Sequence, residues 1–132
     1  MSQENVEIMR SALEAFNRRD GESFDALLAK DAEIVPVRVA LEGTVYRGLD
    51  AGTKYCAAVE QSWDNLRWEV EEIRDGGGWV LALGRIRAQG HDTGAAIDSR
   101  AGWVAHFREG LIARFQTYAN RAEALEAAGL QG

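Results

Sequence analysis

Residues 66–89 read LRWEVEEIRDGGGWVLALGRIRAQ, and their pattern decides what kind of fold the chain adopts. Side-chain character alternates with a period of two on both sides of Asp75-Gly76-Gly77-Gly78, a run rich in turn formers. That combination predicts a β-hairpin, with strands over 66–74 and 79–89. Towards the C-terminus the alternation continues. After a polar connection from Gly90 to Gly94, a long strand is predicted from about Ile97 to Arg108. Glu109-Gly110 turns it into Leu111–Ala119, and Arg121–Ala128 form a short helix that Gly129 stops. Towards the N-terminus the period is helical instead. Val6, Met9, Leu13 and Phe16 follow a cap at Ser2, and Asp20-Gly21 ends that helix. Phe24, Leu27 and Leu28 read as a second short helix. Ile34, Val35 and Val37 read as a strand that Pro36 confines to an edge or a bulge. Beyond a turn at Arg47-Gly48, Asp50 caps a third helix carrying Tyr55, Ala58, Val59 and Trp63. Helices followed by strands indicate an α+β domain, with the helices packed on a curved antiparallel sheet.

The strand over 79–89 is apolar on both faces. One face meets the helices, and the other calls for a second cover, most simply another copy of the chain. A homodimer through the outer sheet face is therefore expected, with Val80, Ile86, Val104 and His106 in the contact.

Composition limits the partners. The chain has 132 residues, enough for a single domain over 1–132, and is 46% hydrophobic and 27% charged, as globular proteins are. A net charge of −6 without any Lys/Arg cluster argues against nucleic acid and anionic membranes. Cys56 is the one cysteine, so neither an intrachain disulfide nor a Cys/His metal site is expected, and no cofactor is implied. Met1-Ser2-Gln3-Glu4 has no basic segment leading into an apolar run, and no stretch approaches the length of a membrane span. A cytoplasmic protein is expected.

The segment Ala15-Phe16-Asn17-Arg18-Arg19-Asp20, followed by Leu27-Leu28 and Asp31-Ala32-Glu33-Ile34, resembles the opening of nuclear-transport-factor-2-like proteins. Tyr46-Arg47-Gly48 and the ending Tyr118 to Leu130 resemble the SnoaL-like, polyketide-cyclase-related branch of that superfamily. The resemblance implies a cone-shaped, cystatin-like α+β roll with a pocket at its wide end. Its members include ketosteroid isomerases, epoxide hydrolases, polyketide cyclases and binding proteins without chemistry, so the activity has to be argued from the site.

Matching by resemblance removes two of those chemistries. Ala12, Pro36 and Ala105 stand where a ketosteroid isomerase has its tyrosine, base and second acid. Arg85-Ile86-Arg87 and Thr117 stand where an epoxide hydrolase has its arginine and two aspartates. Asn120 replaces an aspartate frequent in SnoaL-like chains, and an amide is no general base. His106 falls on the outer sheet face, and His91 in a polar connection. Glu42, Glu72 and Asp98 are the acids that could substitute from elsewhere.

The same matching turns Leu83, Arg85 and Arg87 inward, facing Trp103 and Phe107, with Tyr55 and Thr117 nearby. Same-face residues on a strand lie about 6.8 Å apart, so both guanidinium groups could meet one ligand. A register set by the turn also places Trp68 opposite Arg85, where the indole could satisfy the arginine instead. Two readings stay open. In the first, the cone binds a small hydrophobic, anionic molecule, as a cyclase or isomerase in which Arg85 stabilises an oxyanion. In the second, the chain is a non-catalytic binding or assembly module.

Overall fold

Phe16 and Met9 are fully buried and Leu13 nearly so, because the helical spacing of the first segment places them on one face of α1 (Ser2–Asn17). The structure is a computed structural model and describes residues 2–36, 44–90 and 96–129. Val37, Glu42, His91, Leu130 and the side chain of Ser2 lie outside the described residues. After α1 come α2 (Gly21–Asp25), β1 (Leu28–Val35), β2 (Tyr46–Arg47) and α3 (Ala51–Ser62). Four long strands and a helix follow: β3 (Trp63–Asp75), β4 (Trp79–Gly90), β5 (Ala96–Arg108), β6 (Leu111–Tyr118) and α4 (Arg121–Ala127). None of the described helices is long and apolar enough to cross a membrane.

The strands form one curved sheet in the order β2-β1-β6-β5-β4-β3. The hairpin of β3 and β4 and the antiparallel neighbours β5 and β6 follow the sequence pattern. Two differences appear near the N-terminus. β1 begins at Leu28, where a helix was expected, and pairs parallel with β6, so the sheet is mixed. The pairing of Leu28 with Ile112 and of Ile34 with Phe115 outweighs the weak helical spacing of Leu27 and Leu28. β2 pairs Tyr46 with Ile34 and Arg47 with Glu33, a two-residue bridge in what reads locally as a turn.

Helix ends are tied by carboxylates from different sources. Asp20 caps α2 locally, accepting from Ser23 N at 3.1 Å. Asp50 occupies the N-cap position of α3 but makes no capping bond. Asp25 of α2 caps α3 instead, accepting from Gly52 N at 2.6 Å and Thr53 N at 3.3 Å. This cap locks the two helices together, and no local motif announces it.

Helices cover apolar residues on both faces of the sheet. On the helix side, Val80, Ala82 and Ile86 of β4 and Ala101, Trp103 and Ala105 of β5 join α1 and α3 in the main core. On the other side, Leu81 and Leu83 of β4 and Val104 of β5 are covered by Ala124, Leu125 and Ala128 of the α4 segment. A Cβ at Gly102 would come within 2.3 Å of Ala124 Cβ, so only glycine lets α4 settle onto β5. The apolar outer patch that called for a second copy is thus covered from within the chain. Val80 and Ile86, expected in the dimer contact, face the main core.

Candidate functional site

The centre of the helix-side core is aromatic. Trp68 of β3 stacks on Phe16 of α1 with ring centroids 3.6 Å apart and on Phe115 of β6 at 5.7 Å. Trp103 lies 5.4 Å from Trp68, and Tyr55 of α3 lies 5.1 Å from Phe16. Three polar groups sit among these rings. Trp103 and Thr117 are register partners on β5 and β6, and both Trp103 Nε1 and Thr117 Oγ1 are buried without a hydrogen-bond partner in the described structure. The third is the Tyr55 hydroxyl, whose pKa burial raises well above the usual phenol range; the neighbouring Thr117 hydroxyl offsets part of the rise. Leaving a buried donor such as Trp103 Nε1 or Thr117 Oγ1 unpaired costs roughly 1–3 kcal/mol, so the pair marks a place where an acceptor would be stabilised. Every one of the three can donate a hydrogen bond. Among the described residues no carboxylate, histidine or lysine is buried beside this cluster, so these groups can hold and polarise an oxygen but include no base to abstract a proton.

Four of the expected site residues come together on this side: Tyr55, Trp103 and Thr117 at the donor cluster, and Phe107 packed against the same core. Leu83, Arg85 and Arg87 do not. They lie on the opposite face, with Leu83 under α4 and the arginines towards solvent. The cause is the phase of β4, which places Val80, Ala82 and Ile86 inward, together with a bulge in β3. From the turn to Glu72 the hairpin runs in one register, with Glu72 opposite Leu83. Past the unpaired Glu71 it resumes with Val70 opposite Gly84 and Trp68 opposite Ile86. One extra residue reverses the facing of everything beyond it. Trp68 therefore turns into the core and does not meet Arg85.

The two arginines are satisfied where they are. Arg85 donates to Asp98 Oδ1 from Nη2 at 2.7 Å and from Nε at 3.1 Å. Arg87 lies 3.4 Å from Glu69 and 3.7 Å from Asp98. Arg85 thus cannot stabilise an oxyanion inside the cone. Two of the candidate substitute acids share this fate, since Asp98 serves Arg85 and Glu72 serves Arg74 and Arg121. His106 is exposed beside Arg114, and the Asn120 side chain accepts from Glu123 N at 2.9 Å to cap α4.

Arg19 is a residue that sequence reasoning passed over. It follows α1 with a φ of 57°, and its guanidinium lies 4.6 Å from the Phe16 ring centroid. It donates to Phe16 O at 2.7 Å and to Leu66 O, and Nε forms an ion pair with Glu60 at 2.9 Å. Two surface clefts, of about 390 and 380 Å³, flank that ion pair. Cys56 borders the first, but burial pushes its thiol up to about 11, so it is protonated and unreactive at neutral pH. Among the described residues no group of three or more His, Cys, Asp or Glu side chains could hold a metal ion.

Residues 9–115 match the SnoaL-like domain family. No curated protein is similar to the chain in sequence. Solved structures share its fold at low identity. An NTF2-like protein from Burkholderia xenovorans is 21% identical, with a TM-score of 0.79 and 97% of each chain covered. A putative SnoaL-like polyketide cyclase from Jannaschia is 12% identical, with a TM-score of 0.73 over 89% of this chain and 85% of that one. TerC, co-crystallised with polyporic acid, is 18% identical, with a TM-score of 0.75 over 96% of this chain and 98% of its own.

Proposed function

The chain belongs to the family of SnoaL-like domains, and on that footing we propose that it binds a small aromatic molecule through one neutral oxygen, without acid–base chemistry of its own. The observation that carries this reading is the pair of buried, unpartnered donors on register-paired strands, Trp103 Nε1 and Thr117 Oγ1. The Tyr55 hydroxyl beside Thr117 supplies a third donor. A carbonyl or phenol oxygen accepting from these groups would meet their hydrogen-bonding need, while the rings of Phe16, Trp68 and Phe115 provide apolar contact. Among the structures that share the fold, TerC was co-crystallised with polyporic acid and another is a putative polyketide cyclase, in keeping with a small-molecule ligand. An anionic ligand has lost its motive here, because the arginines that suggested it are paired on the other face.

Titration calorimetry with acetylnaphthalene and naphthoate, two compounds of similar size, tests the proposal. The ketone is expected to bind and the carboxylate to bind at least about tenfold more weakly, because among the described residues no cation belongs to the cluster. Trp103→Phe and Thr117→Val should each weaken ketone binding by up to about tenfold. Equal affinity for the two compounds, or variants that bind as the parent does, would overturn the reading. Absence of binding by either compound would favour a non-catalytic assembly module.

A further inference from the structure

We infer that the cleft between the ends of α1 and α3 and the start of β3 is a second binding site, one that takes the carboxylate of a small aromatic acid. Its volume of about 380 Å³ suits a small ligand. The argument starts from Arg67. On the outer sheet face Arg74, Arg85, Arg87 and Arg100 each have a carboxylate within 4 Å. Arg67 lies on the same face opposite Arg87, yet has no acidic partner among the described residues. An added anion beside Arg67 is stabilised by attraction to a guanidinium that has no carboxylate of its own.

The surroundings of Arg67 are those of a carboxylate site. Asn65 and Gln89 line the same cleft, and neither amide is hydrogen-bonded within the described structure. Both can donate to a carboxylate oxygen next to the guanidinium. Their placement comes from a second irregularity of β3. The register breaks between Asp64 and Arg67, and Asn65 takes a φ of 53°. Such a break re-aims the side chains that follow it.

The negative charge of Glu60 does not oppose this assignment, because Arg19 neutralises it at 2.9 Å. The indole of Trp63, half-buried in the same wall, supplies a surface on which an aromatic ring can lie. This site is separate from the interior donor cluster, shares no residue with it and takes an anionic rather than a neutral ligand group.

The test is an NMR titration of the full chain with benzoate, benzamide and inorganic phosphate. Benzoate should shift the side-chain amide signals of Asn65 and Gln89 and the indole signal of Trp63, with saturation in the millimolar range. Arg67→Gln should weaken that binding at least tenfold while leaving the melting temperature unchanged, since Arg67 is exposed. Benzamide should leave the three signals in place. Unchanged affinity in Arg67→Gln, or equal shifts from benzamide, would overturn the assignment of a carboxylate site. Phosphate binding as tightly as benzoate would overturn the aromatic part of it. Shifts at the Trp103 indole report the interior cluster instead, so failure of either site is read independently of the other.

Discussion

The side chain of Asn17 closes two hydrogen bonds with the backbone of one residue, Trp68. Nδ2 donates to Trp68 O and Oδ1 accepts from Trp68 N, both at 2.9 Å. Trp68 lies on β3, the edge of the sheet, so its outward N–H and C=O have no neighbouring strand. The amide at the end of α1 takes that neighbour's place, and it anchors the helix at the residue whose indole centres the aromatic core.

Asn17→Ala should therefore destabilise the fold by about 1–3 kcal/mol, because it strands a donor and an acceptor at a half-buried site. Urea denaturation measures the loss, and hydrogen exchange should show the Trp68 amide losing protection first. Asn17→Asp keeps the acceptor and loses the donor, so it should fall between the two. An alanine variant as stable as the parent would show that water replaces both bonds at no cost.

Gly84→Ala should be more damaging than its size suggests. A Cβ there would lie 1.9 Å from the backbone oxygen of Glu69, on the partner strand beside the bulge. Backbone cannot swing aside as a flexible side chain can, so the hairpin must part or slip. A loss of roughly 2–3 kcal/mol is expected, at the upper end for overpacking, with altered near-ultraviolet dichroism from Trp68. A normal spectrum and a parental melting temperature would contradict the close approach of the two strands.

Arg85→Met should leave neutral-pH stability nearly unchanged, since the pair with Asp98 is largely solvent-exposed. Its signature is a change in pH dependence. The hydrogen bonds from Arg85 hold the Asp98 carboxyl below the ordinary carboxylate range. A depressed folded-state pKa gives stability that is present above the unfolded value and is lost as pH falls through the folded one. In the variant, the Asp98 carbon resonance should titrate at higher pH, and that part of the acid sensitivity should vanish. An unmoved Asp98 titration would mean the pair does not persist in solution.

Leu125→Asp should convert the chain into a self-associating species. Leu125 is 4% exposed and holds α4 over Leu81, Leu83 and Val104. A carboxylate there is unpaired and would lift the helix, leaving an apolar patch on the sheet face. Sedimentation should show a larger, concentration-dependent mass than for the parent. An unchanged mass with α4 demonstrably detached would show that the patch is too small to drive association.

The order of elements, the hairpin about Asp75–Gly78, the buried face of α1 and the family were legible in the residues themselves. Periodicity and turn chemistry act over a few positions, so a single chain carries them. Of the residues expected to line a pocket, Trp103, Phe107, Thr117 and Tyr55 lie on the helix side of the sheet and Leu83, Arg85 and Arg87 on the other. The strand over 79–89 is apolar at odd and even positions alike, and alternation then has no phase to report. Thr117 and Trp103 were visible as residue types, but their shared lack of partners was not.

Local patterning sets the class of fold and which side chains are available to it. Three decisions belonged to the tertiary structure. The bulge at Glu71 chose which face of β3 enters the core. The packing of α4 chose which apolar residues of β4 and β5 are covered from within the chain. The crossing of α2 and α3 gave Asp25 the capping task that Asp50 appeared by position to own. The physical reason is common to all three. A one-residue slip, a docked helix and a non-local cap each cost little locally. Each is selected only when the whole core closes around it, through contacts between residues far apart in the chain.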